Sequence, residues 1–239
     1  MNIQSLAINQ PHVWQINLTP SAQQPPLPEE VLSDAEWIKV NRLRQPLHRQ
    51  RAILMRIQLR LLLAQYLHTA AADIQFSYDQ FGKPQLKDRA LFFNVSHSAD
   101  RALVAISLSD GLGVDIEYWR PVEQMEAIVN RHYSTAEKVY WRALSLEQRE
   151  AVFFNIWTCK EAFIKATGRG LGMGLSRCGF KLDERYQLES CPAEYGAASQ
   201  WSCQLIPLGD RVSAAIILQR QNCQPLIYRF DPQFPPQIP

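Results

Sequence analysis

The chain has 239 residues, enough for one large domain or two small ones with a sizeable core, and its 25 basic and 23 acidic residues leave a net charge of only +2. Five cysteines, odd in number and without a C-x-x-C pair, exclude a disulfide framework and a cysteine zinc site and fit a reducing cytoplasm. Met1 to Leu18 lacks a continuous apolar core and no apolar run reaches the ~20 residues of a membrane span, so neither a signal peptide nor a membrane anchor is expected.

In chain order, Trp14 to Leu18 reads as a short strand and Pro20 to Pro28, with four prolines in nine residues, as a loop. A helix is predicted from Pro46 to about His68, because Ile53, Leu54, Ile57, Leu61 and Leu62 recur at helical spacing. Residues 37 to 60 hold Lys39, Arg42, Arg44, Arg49, Arg51, Arg56 and Arg60 without one acid. They read as a solvated helix face, as side chains covering apolar surface, or as a nucleic-acid-binding module. Ile74 to Tyr78 and Leu91 to Val95 read as strands around the turn Phe81-Gly82-Lys83-Pro84, and Ala102 to Leu108 and Val114 to Tyr118 as a further pair. The turn Ser109-Asp110-Gly111 between that pair divides the chain into halves at 1–112 and 113–239. Ser134-Thr135-Ala136-Glu137 and Ser145-Leu146-Glu147-Gln148 have capping-box form, so helices are predicted from both, the second ending near Thr167 at Gly168. Before them, Val122, Met125, Ile128 and Val129 form an apolar stripe at near-helical spacing, flanked by Arg120 and Arg131. Phe180 to Leu182, Trp201 to Ile206 and Val212 to Leu218 complete a C-terminal sheet, followed by a Pro-rich tail from Pro225 expected to be extended or disordered. The fold class is α+β.

Chemistry concentrates in two segments. In Gly113-Val114-Asp115-Ile116-Glu117 the strand period of two projects Asp115 and Glu117 to one face. In Trp157-Thr158-Cys159-Lys160-Glu161-Ala162-Phe163-Ile164-Lys165, Glu161 and Lys165 are one helical turn apart and share a face. Alone, the first pair reads as the solvated face of an edge strand and the second as a surface ion pair, with Lys160 as plain solubilising charge. Brought together, three carboxylates repel by about 4 kcal/mol per pair at ~4 Å and an effective dielectric of ~20, so a cation is expected among them. An oxygen-only donor set suits Mg²⁺, which shares its shell with water and substrate phosphates.

These two segments, with Phe81-Gly82-Lys83-Pro84 and Phe93-Asn94-Val95-Ser96-His97-Ser98, resemble the ordered motifs of the 4′-phosphopantetheinyl transferases in their long form. The resemblance covers roughly residues 36 to 182 and implies a pseudo-dimer of two similar α+β halves in one chain, each a small antiparallel sheet packed with helices, acting as a monomer. It implies transfer of the phosphopantetheine arm of coenzyme A to a serine of an acyl or peptidyl carrier protein, with release of adenosine 3′,5′-bisphosphate. Asp115, Glu117 and Glu161 would hold Mg²⁺; Glu161, or a water it orients, would take the serine proton, and Lys165 would neutralise charge on the transferred phosphate. Arg51, Lys83, Ser96, His97, Lys160 and Lys165 would bind the coenzyme, with Lys39 and Arg44 as weaker candidates. The stripe at 122 to 129 would be either a core-facing helix or part of the carrier's docking surface. A Mg²⁺-dependent coenzyme or nucleotide pyrophosphate hydrolase uses the same acids, and the basic segment alone suits a nucleic-acid binder. Neither rival explains the ordering of all four motifs, so no nucleic-acid or membrane partner is expected.

Overall fold

Near-continuous apolar runs such as residues 102–106 and 214–218, buried on both faces, build two main sheets beside two short hairpins. Two long helices cover the outer faces of the main sheets. The computed structural model describes residues 5–19, 28–183 and 185–232; the loop expected over 20–27 and the end of the tail lie outside them. In chain order, β1 (His12–Asn17) precedes α1 (Pro28–Val31), α2 (Asp34–Asn41) and α3 (Pro46–Leu67), a hairpin of β2 (Phe76–Tyr78) and β3 (Pro84–Leu86), then β4 (Phe92–Ser98) and β5 (Arg101–Ser107). A similar order follows with β6 (Leu112–Tyr118), α4 (Met125–His132), α5 (Thr135–Ala143), α6 (Leu146–Thr167), the hairpin β7 (Gly179–Phe180) and β8 (Leu188–Ser190), then β9 (Ser202–Leu205) and β10 (Val212–Leu218). β11 (Leu226–Arg229) comes last.

The long helices start and stop where local chemistry says they should. α3 begins at Pro46, whose missing N–H is no loss in a first turn, and ends at His68 in the left-handed region at φ 49°. α6 follows the Ser145/Gln148 capping box and ends at Gly168 with φ 68°. Both are 22 residues long.

The first sheet has the order β11-β1-β5-β4 and the second β6-β10-β9. Trp14, Ile16, Val104 and Ile106 face α3 through Met55, Leu59, Leu62 and Leu63. Their neighbours of opposite parity, Val13, Leu103 and Ala105, meet Val114, Ile116, Ala214 and Ile216 of the second sheet. The other face of the second sheet, with Ala215 and Ile217, packs on Cys159, Ala162, Phe163 and Ala166 of α6.

One expectation is corrected here. The tail does not run free from Pro225: residues 226–229 form β11, which pairs in parallel with β1 from His12↔Leu226 to Gln15↔Arg229. Tyr228 stacks on Trp14 at 4.8 Å and Phe230 is buried in the first core, so apolar contacts outweigh the proline-rich composition, and an edge strand tolerates a preceding proline. β11 therefore carries chain from beyond 113 into the sheet of the first half. In the stripe at 122 to 129, Val129 is fully buried, while Val122, Met125 and Ile128 are half-buried, packing against a cluster of Tyr133, Trp141, Phe153 and Phe154 and keeping part of their surface exposed.

Candidate active site

Gly113 determines how closely β6 approaches α6. A Cβ at this position would lie 2.6 Å from the amide nitrogen of Ala166 and closer still to the carbonyl oxygen of Ala162, so no other residue fits without moving the helix. The tight packing sets Asp115 and Glu117 of β6 against Glu161 and Lys165 of α6.

Asp115 is 4% exposed. Its Oδ1 accepts from Lys165 Nζ at 2.6 Å and from Ser96 Oγ at 2.8 Å, while its buried Oδ2 has no hydrogen-bond partner. Burial pushes the Asp115 carboxyl above its ordinary range against the pull of Lys165. Glu117 accepts from Ser98 Oγ at 3.2 Å, and burial followed by the charge of Asp115 raises it too. Glu161 is raised to about 7, first by burial and then by Asp115, with Lys165 acting in the opposite sense and Glu117 adding to the rise. All three carboxyls are thus raised chiefly by loss of water, with the charge of Asp115 adding to the rise of Glu117 and Glu161.

The first half brings the cations and hydroxyls. Ser96 Oγ donates to Asp115 and accepts from Lys165 Nζ at 2.7 Å and from the Ile116 N–H at 3.3 Å, so its one hydrogen and both lone pairs are engaged. The His97 imidazole is held below its usual pKa, chiefly by loss of water around the ring and then by the neighbouring charges of Lys165 and Arg51. His48, which no motif flagged, is a further electrostatic neighbour of His97. Arg51 keeps a buried Nε with no hydrogen-bond partner. Asp115, Glu117, Glu161, Lys165, Ser96, His97 and Arg51 are therefore brought into one neighbourhood.

Two expected coenzyme ligands have their amino groups engaged by other partners. Lys160 is fully buried. Its Nζ pairs with Glu137 Oε2 at 2.9 Å and donates to the carbonyls of Leu175, at 3.0 Å, and Cys178. Glu137 in turn accepts from the N–H groups of Ser134 and Phe180, so the pair ties α5, α6 and the segment after α6 into one satisfied network. All three Lys160 donors are taken, which leaves none for a phosphate. Lys83 Nζ donates to the carbonyls of Lys165 at 2.7 Å, Leu112 at 3.2 Å and Ala166 at 3.4 Å, capping the end of α6 whose last carbonyls lack helical partners. The basic segment is also engaged in folding: Arg60 makes a buried pair with Glu36 at 2.8 Å, Arg56 stands 3.7 Å from the same carboxylate, and Lys39 lies over the Tyr78 ring at 3.6 Å.

Among the described residues no three His, Cys, Asp or Glu side chains already form a metal-holding group. The donor set nevertheless suits a hard cation: it is all oxygen, it includes the orphaned Asp115 Oδ2, and its carboxyls are raised by burial and mutual repulsion.

Comparison with known proteins agrees with this chemistry. The profile of the 4′-phosphopantetheinyl transferase superfamily matches residues 111–217, which span β6 to β10. The 4′-phosphopantetheinyl transferase HetI of Nostoc is 35% identical over 234 residues, covering 95% of this chain and 94% of its own. A putative 4′-phosphopantetheinyl transferase of Synechocystis is 35% identical over 70% of this chain and 69% of its own, and Sfp of Bacillus subtilis 30% over 58% and 61%. A solved holo-acyl-carrier-protein synthase of Thermotoga maritima aligns with 46% of this chain and 64% of its own at 22% identity, with a TM-score of 0.38. With a relative matched over nearly the whole of both chains, this protein belongs to the 4′-phosphopantetheinyl transferase family of enzymes.

Proposed function

We propose that this enzyme transfers the 4′-phosphopantetheine arm of coenzyme A to a serine hydroxyl of an apo acyl or peptidyl carrier protein, in a Mg²⁺-dependent reaction that releases adenosine 3′,5′-bisphosphate. The observation that carries this reading is the meeting of Arg51, His97 and Ser96 from the first half with Asp115, Glu117, Glu161 and Lys165 from the second. Asp115, Glu117 and Glu161 would hold Mg²⁺, which when bound offsets negative charge on the pyrophosphate of coenzyme A and on the departing bisphosphate. Arg51 grips the 3′-phosphate and His97 faces the pyrophosphate. Lys165, already between Asp115 and Ser96, neutralises charge on the transferred phosphate. Glu161, raised to about 7, is suited to take the proton of the carrier serine near neutral pH. Ser96 meets the coenzyme only by exchanging one of its three present partners.

The recurring order of elements, the two 22-residue helices and the matching sheet orders β1-β5-β4 and β6-β10-β9 support a pseudo-dimer of similar halves divided at 112/113, active as a monomer. Three of the five cysteines are buried and all are free, which suits a reducing cytoplasm. The test is the intact mass of a purified apo carrier after incubation with the protein, coenzyme A and Mg²⁺. A gain of one phosphopantetheine arm is expected. No gain, with bisphosphate released in the absence of carrier, would instead favour a hydrolase.

A further inference from the structure

β4 and β6 are the facing edges of the two sheets, and no backbone ladder joins them. Side chains do so instead. Asn94 Oδ1 accepts from the Val114 N–H at 2.9 Å, Ser96 Oγ from Ile116 at 3.3 Å and Ser98 Oγ from Tyr118 at 3.1 Å. Each rung spans 20 residues (114 − 94, 116 − 96, 118 − 98), so the two strands run in the same direction in fixed register. These rungs satisfy amides that β6 turns away from β10 and that would otherwise be buried without partners.

A serine hydroxyl that accepts in this way still has one hydrogen to give. Ser96 gives it to Asp115 Oδ1 and Ser98 gives it to Glu117 Oε2. The residue at the equivalent place beside the Asn94 rung is Gly113, which has no side chain to hold. The same three residues thus lock the strand edge, and only the two serines also hold an acid of the proposed cation site.

We infer that Ser98 is a positioning residue for Glu117, so that the first half of the chain sets the cation affinity of acids that belong to the second. This rests on the proposed role of those acids in holding a divalent ion. Groups that hold metal-ligating carboxylates typically change metal affinity by about 10- to 100-fold when removed.

The test uses Mn²⁺ as the probe, titrated into the full-length protein saturated with coenzyme A, with free Mn²⁺ read from its electron paramagnetic resonance signal. Ser98→Ala is expected to weaken Mn²⁺ binding by about 10-fold while leaving metal-free coenzyme A affinity unchanged, and Ser98→Thr, which keeps the hydroxyl, to restore it. Asn94→Ala removes a rung that holds no carboxylate and is expected to lower Tm with Mn²⁺ affinity within about twofold of wild type, well short of the about 10-fold loss expected when a carboxylate's partner is removed. Wild-type Mn²⁺ affinity in Ser98→Ala, a threonine variant as weak as the alanine one, or an equal loss in Asn94→Ala would each overturn the inference. Asp115→Ala separates this from failure of the underlying reading: if wild type and Asp115→Ala bind Mn²⁺ alike, the acids do not form the cation site at all.

Discussion

The two halves share a plan and differ in chemistry. β1 begins at His12 and β6 at Leu112, α3 at Pro46 and α6 at Leu146, so an offset of 100 relates both strand and helix (112 − 12, 146 − 46). At that offset Gln15 and Asn17 stand where β6 carries Asp115 and Glu117, and Leu61 and Gln65 where α6 carries Glu161 and Lys165. The first half keeps the scaffold with amides and an apolar residue, which need no counter-ion. The second half places charge at these positions, with Lys165 of α6 as its own cation, and further cationic and hydroxyl partners come across the seam from α3 and β4. On the proposed pseudo-dimer reading, one charged site would lie where unlike surfaces of the two halves meet.

That contrast can be broken most severely inside the second half. Lys160→Met leaves Glu137 as an uncompensated buried charge, and removing one partner of such a pair costs about 3–5 kcal/mol. Thermal unfolding should shift down by roughly 10 °C; an unchanged Tm would show that Lys160 is not a structural anchor. Next in size, Asp115→Ala should lower the transfer rate by about 10²- to 10³-fold, the range seen when one group that stabilises a transition state is lost, with circular dichroism unchanged. Wild-type turnover at limiting Mg²⁺ would defeat the assignment.

The cationic side of the seam gives a smaller effect. Arg51→Ala should weaken coenzyme A binding by about 10- to 100-fold, equivalent to a charge-assisted contact of ~1.5–3 kcal/mol, and abolish discrimination against dephospho-coenzyme A. Titration calorimetry with both ligands checks it, and discrimination retained in the variant would move the 3′-phosphate to another residue. The smallest effect is on pH dependence. Because Glu161 is raised from 4.5 to about 7 by folding, the metal-free native state binds more protons than the unfolded chain between those values, and its stability falls as pH rises through that window. Glu161→Gln should flatten this slope of Tm against pH between 4.5 and 7; an identical slope would place the titration on another group.

What could be read from the sequence follows from range of interaction. Both capping boxes, the stop at Gly168 and β10 at Val212–Leu218 are legible because their causes lie within a few residues. The acid pair and the Glu161/Lys165 face follow from strand and helix periods alone. Lys160 was misplaced because neighbours on a helix point about 100° apart, and its partner Glu137 lies 23 residues upstream (160 − 137) on another helix. The carbonyls that Lys83 caps are likewise presented only when α6 and β6 are assembled, so this contact is not legible in the sequence. The strand period puts Asn94, Ser96 and Ser98 on one side of β4, but what they do there depends on β6 lying beside them.

The position of β11 has a mechanical consequence. Its parallel pairing with β1 puts the first and last described strands side by side, so the chain is clasped at both its midpoint turn and its ends. Such a molecule cannot swing open about residues 108–111 like a book; parting the two halves requires unzipping a strand. A fragment ending before β6 would expose the bare edge of β1, with Trp14 robbed of its Tyr228 lid, and would be prone to pair with other chains.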